Sequence, residues 1–491
     1  MLGPDIRPLA YIRAWRANVR TELLSGIVVA MAMIPEAVGF SVIAGLPPEA
    51  GLFGSVVIPF VVAFVGARAA MISGATASTA VLMGPMVHEH GPAYLFAATL
   101  VMGITQIGAG LLHLDRVMRL VSRSVLTGFV NALAILIFLA QLPQLVGVPP
   151  VTYALIGCGL LIIYGLPRVT QVVPSPLMAV IVLTVVCAAF GIHLRTISEL
   201  GKLPDALPSF ALPHVPLTFG TLALVGPLGL TLAAVGLLES LLTLDVIDDL
   251  TGERTSKRWE CVGQGIANLT APLFGGMAGC AMIGQSIVNL SSGGRGRLST
   301  LATSIVLLCI LLALRPVLAI IPVAALTAVM IMVSVNTFSW SYLVDLGRSS
   351  WQSTAVMVAT VATVIATHDL SKGVMVGVVV SCVLFATEAA GQMKVTSGLS
   401  ADGRVRRYSV AGPMFFASAS GLHDAIDLDE QVDRIQVDFS RAWFSRVSAL
   451  ESWEALVSAA TRRGRTLEPI GLHNGFIQAS SRRIRKHGVL P

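Results

Sequence analysis

The sequence predicts an all-α polytopic membrane domain followed by a small α/β domain, and three observations carry that prediction. Of 491 residues, 55% are hydrophobic and 12% charged, against roughly 25% charged in soluble domains, so a soluble globular protein is excluded. The apolar residues run in blocks instead of alternating, and aromatics make up only 6%, which argues against an aromatic-girdled outer-membrane barrel. As far as residue 395 the charges stand in short clusters between apolar runs, whereas from 396 to 491 they are mixed throughout, as in a soluble domain. A domain boundary is expected near 394 to 397.

A bilayer span takes about 20 apolar residues, fewer where it crosses only part of the hydrocarbon. On that rule fourteen segments follow, at 23–46, 50–66, 75–87, 92–113, 124–144, 151–167, 174–191, 218–244, 259–273, 280–292, 298–314, 316–335, 350–367 and 372–392. Residues 1–22 lead into the first of them; Arg7, Arg13, Arg16 and Arg20 precede a long run with no A-x-A cleavage site at signal-peptide distance, so that run is expected to be a retained span. With a cytoplasmic N-terminus, the inside loops hold Arg7, Arg13, Arg16, Arg20, Arg68, Arg116, Arg119, Arg123, Arg168, Arg254, Lys257, Arg258, Arg295, Arg297 and Arg348, against Arg195, Lys202, Arg315 and Lys372 outside. Fifteen against four obeys the positive-inside rule. An even number of crossings returns the tail to the cytoplasm of a cell membrane. Lys and Arg exceed Asp and Glu by three on each side of residue 395, so the net +6 has no nucleic-acid patch behind it.

Two segments, 75–87 and 280–292, are short and follow small-residue stretches, Ser73-Gly74-Ala75-Thr76-Ala77-Ser78-Thr79 and Gly275-Gly276-Met277-Ala278-Gly279-Cys280. Each is third in a set of seven. Because seven is odd, the two sets, about 23–191 and 218–392, enter the membrane with opposite orientation, and such an inverted repeat puts its binding site at the interrupted helices. Half-helix N-termini aim bare N–H groups and positive dipole ends at one place, which should hold an anion. The tail alternates strand and helix: Val405–Val410, the apolar Met414-Phe415-Phe416-Ala417, Ile435–Phe439, a helix near Ala449–Ala460, a strand near Leu467–Leu472 and a last basic helix. It has no phosphate loop and no catalytic cluster.

Ionisable residues inside spans are costly and usually functional. Glu36 follows Pro35 in Ile34-Pro35-Glu36-Ala37, where proline frees a backbone carbonyl beside the acid, and Glu239 stands mid-span in Gly236-Leu237-Leu238-Glu239-Ser240. Each belongs to the first helix of its half, so pseudo-symmetry brings both towards one cavity. Their functional reading is proton exchange during transport; a hydrogen-bonded acid tying helices together is the other. Thr243, one turn after Glu239, could share a proton, water or cation with it. Around the half-helices, Gly74, Ala75, Thr76, Ala77 and Ser78 on the first side and Ala281, Gln285 and Ser286 on the second form the expected substrate site, with Thr79 as a further neutral donor. Asn289 and Ser291 read as caps of the short helix. His88, His90, His113 and His368 lie near span ends as solvated groups, and Asp245, Asp248 and Asp249 read as a solvated face. Cys158, Cys187, Cys261, Cys280, Cys309 and Cys382 stand singly, as small core residues. No metal cluster, cofactor motif or nucleophile–base pair is visible, so an enzyme is not expected.

The run Ser25-Gly26 to Gly66, with Ile34-Pro35-Glu36-Ala37 and Ala44-Gly45-Leu46-Pro47-Pro48-Glu49-Ala50-Gly51-Leu52, resembles the signature of the sulfate permease (SulP) family. Glu260-Cys261-Val262-Gly263-Gln264-Gly265-Ile266-Ala267-Asn268 and the segment Asn289–Ser299 resemble two further motifs of it, and Gly412-Pro413-Met414-Phe415-Phe416-Ala417 with Val437-Asp438-Phe439-Ser440 resembles its STAS domain. The resemblance implies a uracil-permease-like core and gate at 23–394, a cytoplasmic STAS domain at 395–491, substrate between the third and tenth helices, and a homodimer. Two departures bear on mechanism: the family's usual Gln in the first helix is Glu36, and its common Arg on the tenth is Gln285. They point to proton-coupled symport of a small anion and favour a dicarboxylate such as fumarate, with sulfate or bicarbonate transport, by symport or exchange, as the alternative and sodium coupling open. A nucleobase permease is the remote rival, a channel, motor or sensor the others. Arg446 stands at the acidic place of the tail loop Ser445-Arg446-Val447-Ser448-Ala449, so no phosphorylation site is expected there.

Overall fold

The structure, a computed structural model, describes residues 18–114, 122–170, 174–201, 203, 206–216, 218–340, 342, 350–367, 369–400, 404–414, 422, 424–430, 432–444 and 446–471. Arg7, Arg13, Arg16, Arg116, Arg119, Lys202, Arg348, His368, Phe415, Phe416, Ala417, Ser445 and the last basic helix lie outside them. Two compact units divide the chain, one up to Val378 and one from Val379.

The first unit is helical: α1 Val19–Ile43, α2 Pro48–Val65, α3 Ala77–His90, α4 Pro92–Leu111, α5 Arg123–Gln141, α6 Pro150–Gly165, α7 Ser175–Ala189, α8 Phe219–Thr251, α9 Lys257–Thr270, α10 Ile283–Ser291, α11 Arg297–Ala313, α12 Val323–Thr337, α13 Trp351–Thr367 and α14 Leu370–Gly391, which runs on past the division. Prolines open α2, α4 and α6 at the first turn, where the missing N–H costs nothing. Among the described residues, seven helices are long and apolar enough to cross a bilayer and four shorter apolar helices accompany them. The chain is therefore a polytopic membrane protein.

Lipid tails are as apolar as leucine, so helices inside a bilayer associate by close packing and interhelical hydrogen bonds. Both devices are present. An added Cβ on Gly103 of α4 would come within 2.6 Å of Leu269 N and within 2.7 Å of Gly265 O, both on α9; only the glycine lets these backbones meet. On the other side α1 packs against α11, where the buried Glu22 carboxylate accepts N–H bonds from Arg295 (2.6 Å), Gly296 (2.8 Å) and Ser299 (2.9 Å), covering donors that the start of α11 leaves free. Asn289 is a helix tie and not the expected cap: its amide donates to Ala70 O at 2.8 Å and to Ser299 Oγ at 2.9 Å while its oxygen accepts from Ser25.

Three more readings are corrected here. Asp248 is buried and not solvated, because α8 continues seven residues past the expected end at 244; it pairs with Arg68 at 3.5 Å and holds the Thr255 N–H at 2.7 Å. Asp245 is half-buried against Lys257 at 2.6 Å, and Asp249 is exposed. Of the cysteines, Cys158, Cys309 and Cys382 are on the surface instead of in a core; a bilayer-facing thiol behaves as a small apolar group. The twelfth segment is broken, a five-residue helix Arg315–Ala319 preceding α12.

The second unit pairs β3 Lys394–Leu399, β4 Val405–Met414, β5 Arg434–Phe444 and β6 Leu467–Ile470 in that order, β3–β4 antiparallel and the others parallel, with α15 Arg446–Arg462 as the β5–β6 crossover. Tyr408, Val410, Val437, Phe439 and Trp453 form its core. Strand β3 was not read from the sequence, since Lys394-Val395-Thr396-Ser397-Gly398 is too polar for a buried strand, and it lies as an exposed edge.

Candidate functional site

Two three-residue strands cross where the small-residue stretches predicted an interruption. β1 Ser73–Ala75 pairs antiparallel with β2 Gly279–Ala281, Gly74 opposite Cys280. Extended backbone within a membrane domain survives only when its polar groups are satisfied by protein. Here Asn268 of α9 brackets Gly279, donating to its carbonyl and accepting its N–H, both at 2.9 Å. Ser240 of α8 takes the Ala281 N–H at 3.1 Å, Ser286 takes that of Ile72 at 2.9 Å, and Met282 N donates to Ile72 O at 2.8 Å.

The crossing tolerates no side chain at Gly279, where a Cβ would strike the Gly74 carbonyl. Gly279→Ala is expected to separate the strands, abolish transport and cost about 1–3 kcal/mol or more of stability. Thermal unfolding and uptake check it against Gly226→Ala in α8, where an added Cβ meets nothing within 4 Å; equal behaviour of the two variants would refute the argument.

Beyond the crossing, α3 starts after Thr76 and α10 after Met282, and neither N-terminus is capped by its N-cap side chain. Their first-turn N–H groups are free for an anion. Both starts open on one cavity of about 390 Å³, lined by Thr76, Ala77, Met282, Ile283, Gly284 and Gln285, by Glu36 and Glu239, and by Phe40, Phe129, Asn336 and Thr337 among others. Among the described residues that line it there is no Lys, Arg or His.

The acids are held differently. Glu36 accepts a hydrogen bond from the Gln285 side-chain amide, linking α1 to α10. Glu239 Oε2 accepts from the Ser78 hydroxyl and from the Cys280 thiol at 3.0 Å, so it ties α8 to both sides of the crossing. Thr76 Oγ1 lies 3.1 Å from Ser78 Oγ, from Thr79 Oγ1 and from Cys280 Sγ.

Of the expected site residues, the structure brings Glu36, Glu239, Thr76, Ala77 and Gln285 to the cavity wall. Gly74, Ala75 and Ala281 are the buried strands behind it, Ser78 serves Glu239, and Ser286 holds the Ile72 backbone. Thr243 does not pair with the Glu239 carboxylate: one turn on, its hydroxyl reaches back to the Glu239 carbonyl at 2.8 Å and to the Ala281 carbonyl at 3.3 Å. His88, His90 and His113 are exposed and away from the cavity. Sequence reasoning missed Phe40, Phe129, Asn336 and Thr337 as wall and Cys280 as a partner of Glu239; the thiol is brought there by the register of β1 against β2, for which the sequence carries no signal.

A model of the sulfate permease family matches residues 19–155 and 149–360. A Bacillus subtilis protein named as a sulfate transporter, YbaR, is 46% identical over 94% of this chain and 96% of its own length. The bicarbonate transporter BicA of Picosynechococcus is 27% identical over 92% of this chain and 89% of its own. Among solved structures, the transmembrane domain of a cyanobacterial BicA matches with a TM-score of 0.63 at 27% identity, covering 74% of this chain and 97% of that one. The murine solute carrier 26 family member A9, an anion transporter, shares the fold over 98% of this chain and 92% of its own, with a TM-score of 0.79 at 16% identity.

Proposed function

The chain belongs to the sulfate permease family, and from that premise we propose that it moves a small inorganic oxyanion, sulfate before bicarbonate, together with protons by alternating access. Its class is secondary active anion transport and not catalysis. The observation that carries the finer reading is the charge around the cavity: two helix N-termini, two carboxylates and no cation among the described lining residues. Each helix start supplies about half a positive charge. With both acids ionised the site is negative by about one charge before any anion arrives; one proton makes it neutral, and a second makes it positive by about one. An anion therefore enters well only with protons, and the two loads are coupled through one electrostatic balance.

Within this proposal Glu36 carries the coupling proton, since its partner Gln285 is itself a cavity donor that an anion can recruit, while Glu239 is anchored by two buried donors. Thr76, Ala77, Gln285 and the first-turn N–H groups of α3 and α10 bind the anion. The dicarboxylate expected from the two departures finds no support among relatives named for sulfate and bicarbonate, so the inorganic oxyanion replaces it. Sodium coupling is the weaker reading, because Thr243 is not among the residues that line the cavity and its hydroxyl is directed to backbone carbonyls and not to the Glu239 carboxylate.

We further read α1–α14 as fourteen crossings in two inverted halves of seven. The antiparallel pairing of β1 with β2 supports this, as does the exchange of first and fourth helices between halves, α1 packing on α11 and α8 on α4. Both termini are then cytoplasmic in a cell membrane, 23–394 transports, and the tail is a STAS domain of a homodimer. Uptake of labelled sulfate, bicarbonate and fumarate into proteoliposomes, under an inward proton gradient with and without sodium, tests the reading. Proton-driven sulfate or bicarbonate uptake is expected; fumarate uptake alone, or uptake indifferent to pH, would overturn it.

A further inference from the structure

A second cavity, of about 500 Å³, lies behind the coupling acid. On α1 its wall is Ile34, Pro35 and Val38, which flank Glu36, while α7 contributes Thr184 and Ala188 and the short helix Arg315–Ala319 contributes Val317. The lining side chains are apolar except for Thr184, whose hydroxyl is turned to the Val180 carbonyl at 2.7 Å. One end is closed by backbone pairing: Ile197 N donates to Ile321 O at 3.0 Å and Val323 N to Arg195 O at 2.8 Å. The side is open, since Ile181, Val185 and Val317 are 45%, 59% and 51% exposed.

Apolar walls give water no partners, and an unfilled space forfeits the dispersion contacts of everything around it. Roughly 150 Å³ suffices for a benzene-sized guest, so a groove more than three times that size suits an extended hydrocarbon chain. The rim carries the complementary head. Arg315, exposed on the same short helix that lines the groove, borders a neighbouring hollow with Ser198, Gly201, Leu203, Pro316 and Ala319, and Arg195 stands two residues before Ile197. A guanidinium at the lipid interface pairs with a headgroup phosphate through two parallel N–H bonds.

We propose that this groove holds one acyl chain of an anionic phospholipid, with its phosphate at Arg315. The chain lies against the face of α1 opposite the anion cavity, in the cleft that α1, α7, α11 and α12 wall together, so the lipid bears on the helix that presents Glu36. Its binding does not depend on which anion is carried or on how transport is coupled.

Native mass spectrometry of the full chain with equal amounts of phosphatidylglycerol and phosphatidylcholine tests the site. The wild type is expected to retain phosphatidylglycerol preferentially. Arg315→Gln should erase the preference several-fold while still retaining lipid, and Ala188→Phe or Thr184→Phe, which fill the groove, should lose the retained lipid of both kinds. A Val317→Phe variant at the rim serves if either filler fails to elute as a single species with the wild-type unfolding midpoint. Lipid retention unchanged by any well-folded filler, or a phosphatidylglycerol preference that survives Arg315→Gln, would overturn the proposal. So would equal retention of the two lipids by the wild type.

Discussion

Replacing Glu36 by Gln is expected to abolish proton-driven accumulation of the anion while leaving exchange of internal for external anion intact. The substitution keeps the size of the side chain and an oxygen that can accept from Gln285, so the link between α1 and α10 survives. What is lost is the ability to change charge. A coupled proton is worth about 1.4 kcal/mol per unit of pH difference, a factor of about ten in the accumulation ratio, so the steady-state ratio should fall about tenfold for each unit of imposed gradient. Glu239→Gln should act differently. Its neighbours Ser78 and Cys280 hold the carboxylate as donors, and an amide can keep one of those bonds, but the lost charge leaves the site neutral with Glu36 ionised, so a lower rate with coupling weakened and not abolished is expected. Accumulation that persists in Glu36→Gln and vanishes in Glu239→Gln would exchange the two roles, and coupling that survives in the double variant would end the electrostatic account.

The sequence carried the helical segments well because hydropathy sums over many residues and forgives a few polar ones. The two interrupted segments were legible for a different reason: small residues without bulky neighbours at Gly74 and Gly279 are wasteful in a span unless backbones meet there. Glu36 and Glu239 were legible because an acid in a span has a cost that demands a role. The failures have different causes, the first of which is that a short polar side chain in a helix can turn to its own backbone. Thr243 is one turn from Glu239 in sequence, yet its hydroxyl spends its hydrogen on a carbonyl four residues back. Ser286 faces away from the cavity to hold Ile72. Cys280 looked like filler because a thiol carries little polarity, and only the register of β1 against β2 brings it to Glu239 and Thr76. Asp248 was misplaced by an end effect, since α8 runs on beyond its apolar stretch and folds the acid back onto Arg68.

Gln285→Arg is expected to convert proton-driven uptake into exchange that is nearly independent of pH. The Gln285 amide already donates to Glu36 across the cavity, so a guanidinium at this place would meet that carboxylate with a full charge and two N–H donors. The pair holds Glu36 ionised, and the proton that wild-type Glu36 takes up has no reason to bind. The charge balance then closes without it: Arg and Glu36 cancel, the two helix starts together offset about one charge on Glu239, and an anion meets a neutral site at any pH in the working range. Gln285→Met separates charge from shape, because it fills the same volume with no donor; it should raise the KM for the anion and leave the remaining uptake driven by protons. Uptake of sulfate across a two-unit range of external pH, with the internal pH fixed, distinguishes these outcomes. If Gln285→Arg accumulates anion against a gradient as the wild type does, Gln285 does not control the protonation of Glu36, and the coupling must be sought at Glu239 with its Ser78 and Cys280 donors.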